Sequence, residues 1–291
     1  MDEITTLRRF NRSYTQRIGV LSESYLGVGR PLGPSRLLFE VGADGARVAA
    51  LRRRLGLDSG YLSRLLRQLE QDDLITVTPD PDDRRQRIVA LSPTGRREWR
   101  RLDRRSEDVA RRIVDPLTPR QRAELAAALA TAERLLRAAT ATFEHVDPRG
   151  AAATDALAQY FAELDARFPT GFDVDAGGGD DVTPLGPPDG AFVIVATDET
   201  TIGCGAVQRV DDRTAEIKRM WIHPEWRGLG LGARLLAHLE ETARKHGRRR
   251  AVLDTNATLR EAISMYERSG YDAIERYNDN PYAQRWFAKD L

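Results

Sequence analysis

The chain has 291 residues, with 45 Lys or Arg against 44 Asp or Glu and a single cysteine. That length predicts two domains. One cysteine excludes an internal disulfide and a cysteine-based zinc site, and no metal centre is expected. No apolar run reaches a membrane span, and the opening MDEITTLRRF lacks a signal-peptide core, so a cytoplasmic protein without a membrane partner is expected. The near-neutral total conceals two unequal halves. Residues 1–150 carry about +7 and residues 151–291 about −6, which makes the first half the candidate for polyanion contact.

In chain order, residues 3–29 and 34–41 show helix-period apolar positions (Leu7, Phe10, Tyr14, Ile18, Leu21; then Leu37, Leu38, Val41), broken at Gly29 to Pro34. A turn at Gly42 to Gly45 precedes two short helices, Val48–Leu55 and Ser59–Asp72, around Gly56-Leu57-Asp58. A small turn followed by Asp58 as N-cap is what a helix-turn-helix requires. Leu62, Leu65, Leu66 and Leu69 form the apolar stripe of the second helix. Ser59, Tyr61, Ser63, Arg64 and Arg67 lie off or beside it, where a recognition helix meets base edges. A hairpin follows, with Leu74–Thr78, a turn at Pro79 to Asp83, and a return strand to Leu91 carrying Arg84, Arg85 and Arg87. It reads either as a wing whose guanidinium groups enter a minor groove or as a solvated basic face. Two long amphipathic stretches, Arg96–Val114 and Pro119–Phe143, close this half; the second carries Leu125, Leu129, Leu135 and Leu136.

This order, and the run DDLITVTPDPDDRRQRIVALSPTGR in particular, resembles the MarR family of winged helix-turn-helix regulators over about residues 1–145. The resemblance implies a mainly α domain over 1–147 that binds a double-stranded DNA operator. Contacts would come from Ser59, Tyr61, Ser63, Arg64, Arg67, Arg84, Arg85 and Arg87. Asp82 or Asp83 with Arg84 and Arg85 would supply the Asp-x-Arg signature of the wing. The terminal helices would form a homodimer interface that presents two recognition helices to a palindrome.

His145 to Ala156, with Pro148, Gly150 and several alanines, predicts a linker, and Thr142 to Asp155 shows no strand signal. Ala158–Phe168 reads as a helix with Tyr160, Phe161, Leu164 and Phe168 on one face. Asp175 to Gly190 is a Gly/Pro/Asp-rich loop. Strands are predicted at Ala191–Thr197, Ile202–Val210 and Thr214–Ile222, with turns at Asp198-Glu199 and Asp211-Asp212. A helix Gly230–His246, a strand Arg250–Thr255, a helix Leu259–Ser269 and strands near Tyr271–Tyr277 and Gln284–Ala288 complete an α/β pattern. Cys204, inside an apolar run, reads as a small buried hydrophobe.

Between the third of these strands and its helix stands Arg227-Gly228-Leu229-Gly230-Leu231-Gly232. Glycines there allow successive N–H groups to turn toward a phosphate, with a helix N-terminus behind them, which narrows this half to nucleotide-type cofactors. The leading arginine, the antiparallel character of the preceding strands and the lack of a ribose-binding acid at the usual offset speak against a dinucleotide site. Strand alternation predicts Glu216, Lys218 and Met220 on one face and Ile217, Arg219 and Trp221 on the other. From the residues alone, Glu216 reads as an ion-pair partner of Lys218 or Arg219.

With the second element Asn256-Ala-Thr-Leu-Arg-Glu-Ala-Ile-Ser-Met-Tyr-Glu-Arg-Ser-Gly-Tyr271, this half resembles the GNAT superfamily of N-acetyltransferases over 155–291. The resemblance implies an α/β domain with a mixed sheet and acetyl-CoA as donor. Arg227, Gly228, Leu229, Gly230, Leu231, Gly232 and Ala233 would hold the pyrophosphate, Met220, Trp221 and Ile222 would line the acetyl-CoA arm, and Asn256 would orient the pantetheine. Glu216 matches a general-base position and Tyr266 a general-acid position, with core packing the other reading of Tyr266. Acceptor choice would fall to Phe161, Phe168 and Phe172 and to the last hairpin, where Asp279 could hold an ammonium and Tyr282 an apolar body, or a capping turn could account for the segment. Domains of this superfamily usually open with a strand before the first helix, and the sequence signals none here. The whole reads as a DNA-binding regulator fused to an acetyltransferase of a small primary amine. A non-catalytic sensor of acetyl-CoA or a metabolite, and a protein-lysine acetyltransferase, are the alternatives.

Overall fold

The computed structural model describes residues 2–20, 22–81, 83–174, 176, 181–198 and 200–291. Leu21, Asp82, Glu199 and part of the 175–190 loop, all used above, therefore lie outside the described residues. The chain divides into two compact units, Met1–Leu129 and Ala130–Leu291.

The first unit comprises α1 (Glu3–Arg17), α2 (Leu32–Val41), β1 (Ala46–Arg47), α3 (Val48–Leu55), α4 (Ser59–Gln71), β2 (Ile75–Pro79), β3 (Arg87–Leu91), α5 (Pro93–Val114) and the start of α6 (Pro119–Ala139). Asp58 caps α4, its carboxylate accepting from the Tyr61 N–H at 2.8 Å. Leu62, Leu65, Leu66 and Leu69 bury against Leu37, Leu38, Leu51, Ile75 and Val89, as the apolar stripe predicts. The hairpin pairs Ile75 with Leu91 through Pro79 with Arg87, and β1 joins it on the far side of β3. A two-residue strand has no periodicity to read, which is why β1 was not foreseen. The first helix is shorter than its apolar period predicts. It stops at Arg17, after which Gly19 and Leu26 take positive φ, and the Ser24 hydroxyl closes a loop by accepting from the Gly29 N–H at 2.7 Å.

The second unit continues with β4 (Thr142–Val146), α7 (Ala151–Arg167), β5 (Gly190–Thr197), β6 (Thr200–Arg209), β7 (Thr214–Ile222), α8 (Leu231–Lys245), β8 (Arg250–Thr255), α9 (Arg260–Arg268), β9 (Asp272–Ala273) and β10 (Arg285–Asp290). Among the described residues these strands form one seven-stranded mixed sheet, ordered β4-β5-β6-β7-β8-β10-β9, with only β7 and β8 parallel. Helices cover both faces. Phe192 and Ile194 of β5 pack with Ala153, Ala156 and Leu157 of α7, whereas Val193 and Val195 share a cluster with Leu235 and Leu239 of α8.

The stretch read as a linker is instead structured. Thr142–Val146 is an edge strand paired antiparallel to β5, from Thr142 opposite Ala196 to Val146 opposite Phe192. Only Phe143 and Val146 are partly buried, so this strand offers almost no alternation to detect. α6 accordingly ends at Ala139 rather than Phe143, and α7 begins at Ala151 rather than Ala158.

Gly95, in the first turn of α5, backs directly onto the start of the hairpin. A Cβ placed there would lie 1.8 Å from the Leu74 carbonyl oxygen. Gly95→Ala should therefore lower the unfolding free energy by about 1–3 kcal/mol, read as an earlier urea midpoint. An unchanged midpoint would contradict this packing.

Candidate active site and nucleic-acid interface

Pairing between β7 and β8 covers only Thr214, Ala215 and Glu216, opposite Arg250, Ala251 and Val252. β7 runs on to Ile222 and β8 to Thr255, so beyond Glu216 the two strands separate. A cavity of about 160 Å³ occupies the opening, walled by Ile217–Met220, Asp254–Asn256, Tyr266, residues of α7 and the segment before β10. A bulge shapes this wall. Gly205 of β6 faces both Arg219 and Met220, since Ala206 pairs with Lys218 and Cys204 with Trp221, and Arg219 takes φ +54°. The extra residue reverses the alternation. Ile217 and Ile222 consequently bury in the same cluster, while Trp221 packs on the α7 side. The predicted division into two faces holds only as far as the bulge, and Lys218, Arg219 and Met220 all reach the cavity.

Glu216 is 8% exposed and stands behind the cavity wall. Its Oε2 accepts from Lys218 Nζ at 2.8 Å, and its Oε1 accepts from Tyr277 Oη at 2.9 Å and Asn278 Nδ2 at 3.3 Å. Of the two readings left open for this residue, the ion pair with Lys218 is the one the geometry contains. The carboxylate on the cavity wall is Asp254, which the sequence reading missed. It accepts from Asn278 Nδ2 and, at 3.2 Å, from Asn280 Nδ2. Burial pushes the Asp254 carboxyl above the usual carboxylate range, against the hydrogen bond from Asn278 and with help from the Glu216 charge. Its signal was the spacing of two apolar residues and an acid at the end of a strand, which a surface-facing aspartate would match equally well.

Tyr266 lines the cavity and is 6% exposed, with its ring 6.1 Å from Tyr271 and 6.0 Å from Phe287. It thus satisfies the packing reading and still faces the site. Burial first, and the Asp254 charge second, push its hydroxyl upward, so it holds its proton at neutral pH. Phe161, Phe168, Phe172 and Tyr282 assemble into one aromatic group in the cavity lining, with Phe172 and Tyr282 centroids 4.7 Å apart. Asp279 does not join them. Its side chain is wholly exposed and bonded to Arg276 at 2.8 Å, as a solvent-facing turn allows. Asn256 is spent on local structure, donating to the Tyr282 carbonyl at 2.8 Å and accepting from Thr258.

The glycine-rich segment ends at an uncapped helix. Gly228 and Gly230 both take φ +76°, Gly230 is the N-cap of α8, and no side chain caps the first turn. Left-handed conformations at both positions favour glycine, and the bare N–H groups of the helix suit a phosphate. Gly232 abuts the Met265 sulfur of α9, where a Cβ would be 3.0 Å away. The unpaired edge of β7 and this helix terminus together fit the arm and pyrophosphate of an acyl-CoA. Arg227, expected at the pyrophosphate, is also tied to the protein itself. It donates to Glu163 of α7 and, through Nε, to the Ile222 carbonyl at 2.9 Å. Glu163 also accepts from Trp221 Nε1 at 2.8 Å and pairs with Arg167 at 3.2 Å. Burial alone would raise the Glu163 carboxyl, but these charge-assisted bonds, led by Arg227, outweigh it and hold the group below its usual range.

In the first unit, Ser59, Tyr61, Ser63, Arg64 and Arg67 lie on the exposed side of α4, and Arg84, Arg85 and Arg87 are exposed on the hairpin. The Arg64 guanidinium sits over the Tyr61 ring at 5.7 Å. Asp83 shapes the hairpin tip, accepting from the Arg85 N–H at 3.0 Å and from Gln86 Nε2 at 3.1 Å. Asp80 is 1% exposed and pairs with Arg47 of β1 at 2.8 Å, an ion pair that fastens the hairpin to the helix-turn-helix.

A depressed Glu163 carboxyl stabilises the fold above its unfolded value, near 4.5, and that contribution disappears as pH falls through the folded value. Glu163→Gln should therefore destabilise the protein at pH 7 by about 1–3 kcal/mol, with the difference from wild type shrinking toward pH 4. A pH-independent difference in urea unfolding would refute the charge-based account.

The profile of the acetyltransferase (GNAT) family matches residues 155–271 and that of the MarR family residues 26–86. An uncharacterised N-acetyltransferase of Schizosaccharomyces pombe is 39% identical over 99 residues, 33% of this chain, and the chain spans 60% of that relative's length. An IAA acetyltransferase of Azospirillum brasilense is 30% identical over 118 residues, 40% of this chain and 77% of its own length. Among solved structures, an acetyltransferase from Streptococcus agalactiae aligns over 52% of this chain and 98% of its own at 24% identity, with a TM-score of 0.44. A mutant MarR from E. coli in complex with operator DNA aligns over 45% of this chain and 99% of its own at 19% identity, with a TM-score of 0.37. The chain belongs to the GNAT acetyltransferase family and carries a MarR-family winged helix-turn-helix ahead of its acetyltransferase domain.

Proposed function

We propose that this protein is a dimeric DNA-binding regulator whose second unit transfers an acetyl group from acetyl-CoA to a small primary amine. The cavity where β7 and β8 part carries this reading: it is bounded by an acid, a protonated tyrosine and a group of aromatic rings. Acetyl-CoA, when bound, would supply the acetyl thioester. Gly228 to Ala233 would hold its pyrophosphate through backbone N–H groups, and Met220 to Ile222 would accompany its arm along the open strand edge. The acceptor amine would lose its proton to one of the two acids that Asn278 bridges, Glu216 or Asp254. Tyr266 would return a proton to the leaving sulfur.

The exposed faces of α4 and the hairpin would meet the major and minor grooves of an operator. Ile4, Leu7, Phe10 and Tyr14 of α1 are 66%, 54%, 50% and 44% exposed, a stripe at helical spacing with the character of a dimer contact.

Thiol release from acetyl-CoA against a panel of small amines tests the enzymatic reading. Turnover of an amine, reduced about a hundredfold by Tyr266→Phe, is the expected result; acetyl-CoA binding with no amine acetylated would replace the enzyme with a sensor. Gly230→Asp should abolish acetyl-CoA binding, because it places a Cβ at positive φ and a negative charge at the helix terminus. For the DNA reading, Arg84→Ala with Arg85→Ala should weaken operator binding and reduce the slope of log affinity against log salt by about 2. Affinity unchanged at every salt concentration would remove these residues from the interface.

A further inference from the structure

The cavity wall holds one carboxylate among the described residues, and it is not the one that the strand position favours. Glu216 bonds to Lys218, Tyr277 and Asn278 and does not line the cavity. Asp254 does line it. Its oxygens are oriented by the side-chain amides of Asn278 and Asn280, which share the same wall. Asn278 Nδ2 donates to both acids and so sets them in a fixed relation. Phe161, Phe168, Phe172 and Tyr282 also line the cavity. The cavity lining therefore combines one carboxylate with a group of four aromatic rings.

We infer that Asp254, rather than Glu216, receives the acceptor's proton, and that the acceptor is a cationic primary amine carried on an aromatic or aliphatic body. This rests on the acetyltransferase reading above. The ammonium gives one proton to the Asp254 carboxylate, and the freed nitrogen lone pair forms the C–N bond to the acetyl carbon as the C–S bond breaks. The departing sulfur takes the Tyr266 proton, the Tyr266 oxygen recovers one from the nitrogen as the amide forms, and Asp254 releases its proton to solvent. Glu216 is then a positioning residue: it neutralises Lys218 beside the cavity and fixes Asn278.

The charges around Asp254 define the pH behaviour. Burial and the Glu216 charge raise its proton affinity, whereas the Asn278 and Asn280 hydrogen bonds and the Lys218 charge lower it. Tyr160, Tyr266 and Tyr277 also sense its charge, and burial keeps all three protonated at neutral pH. Removing the Glu216 charge must therefore move the Asp254 titration downward.

The test uses the full-length protein with CoA, and compares 2-phenylethylamine with its neutral analogue 2-phenylethanol by calorimetry in wild type, Asp254→Asn and Glu216→Gln. Acetyl-CoA affinity checks the fold of each variant. Asp254→Asn should weaken the amine at least tenfold and leave the alcohol within about twofold. In the pH profile of thiol release, Asp254→Asn should lose the acidic limb, whereas Glu216→Gln should keep it at lower pH. An amine that fails to bind, or binds no better than the alcohol, would overturn the inference. So would an acidic limb lost in Glu216→Gln and kept in Asp254→Asn. If wild type binds the amine in an Asp254-dependent way yet acetylates nothing, the acetyltransferase reading fails while the assignment of Asp254 as the amine anchor stands.

Discussion

The acetyltransferase unit depends on where two parallel strands stop pairing. Hydrogen bonding between β7 and β8 ends at Glu216 and Val252, and from that point an edge that would otherwise be satisfied by a neighbour faces an opening. The strand cannot simply fray there, because its other edge stays paired to β6 as far as Ile222. The opening is thus held by a rigid sheet. The bulge then sets Arg219 and Met220 together opposite Gly205, with Arg219 in a left-handed conformation. A site built this way is fixed before any ligand arrives.

Buried charge at such a site is tolerable only when it is paired. Glu216 with Lys218, Glu163 with Arg227 and Arg167, and Glu240 with Lys289 at 2.9 Å all obey this. The pairs also divide the labour. Glu163 fastens α7 to the end of β7 through both Trp221 and Arg227, so the helix carrying Tyr160 and Phe161 and the start of the glycine-rich loop share one anchor. Arg234 does the same on the other side: its guanidinium lies over Phe143 at 5.2 Å and donates to the Ala138 and Ala141 carbonyls. The glycine-rich loop is therefore braced from both flanks.

Much of this was legible in the sequence. Val48–Leu55, Thr214–Ile222 and Arg250–Thr255 occur with the predicted bounds, because each carries strong periodicity and is closed by turn residues. The glycines between Arg227 and Ala233 marked the turn into α8, where Gly228 and Gly230 take positive φ. What escaped was what local pattern does not encode. β4 is an exposed edge strand made recognisable only by its partner, β5. Alternation along β7 was read correctly to Lys218 and then reversed by a bulge that depends on Gly205, fourteen residues away from Arg219. Asp254 carried no motif, and its importance arises from Asn278 and Asn280, which come to it from beyond α9. Asp279, chosen for its charge, is turned to solvent and bonded to Arg276.

The central claim is that the parted strand edge and the bare terminus of α8 together form the acetyl-CoA site. Hydrogen–deuterium exchange with and without acetyl-CoA addresses it directly. Peptides covering 217–222 and 228–233 should gain protection on acetyl-CoA addition, and the gain should vanish in Gly230→Asp. Binding that leaves both segments unprotected would contradict the account.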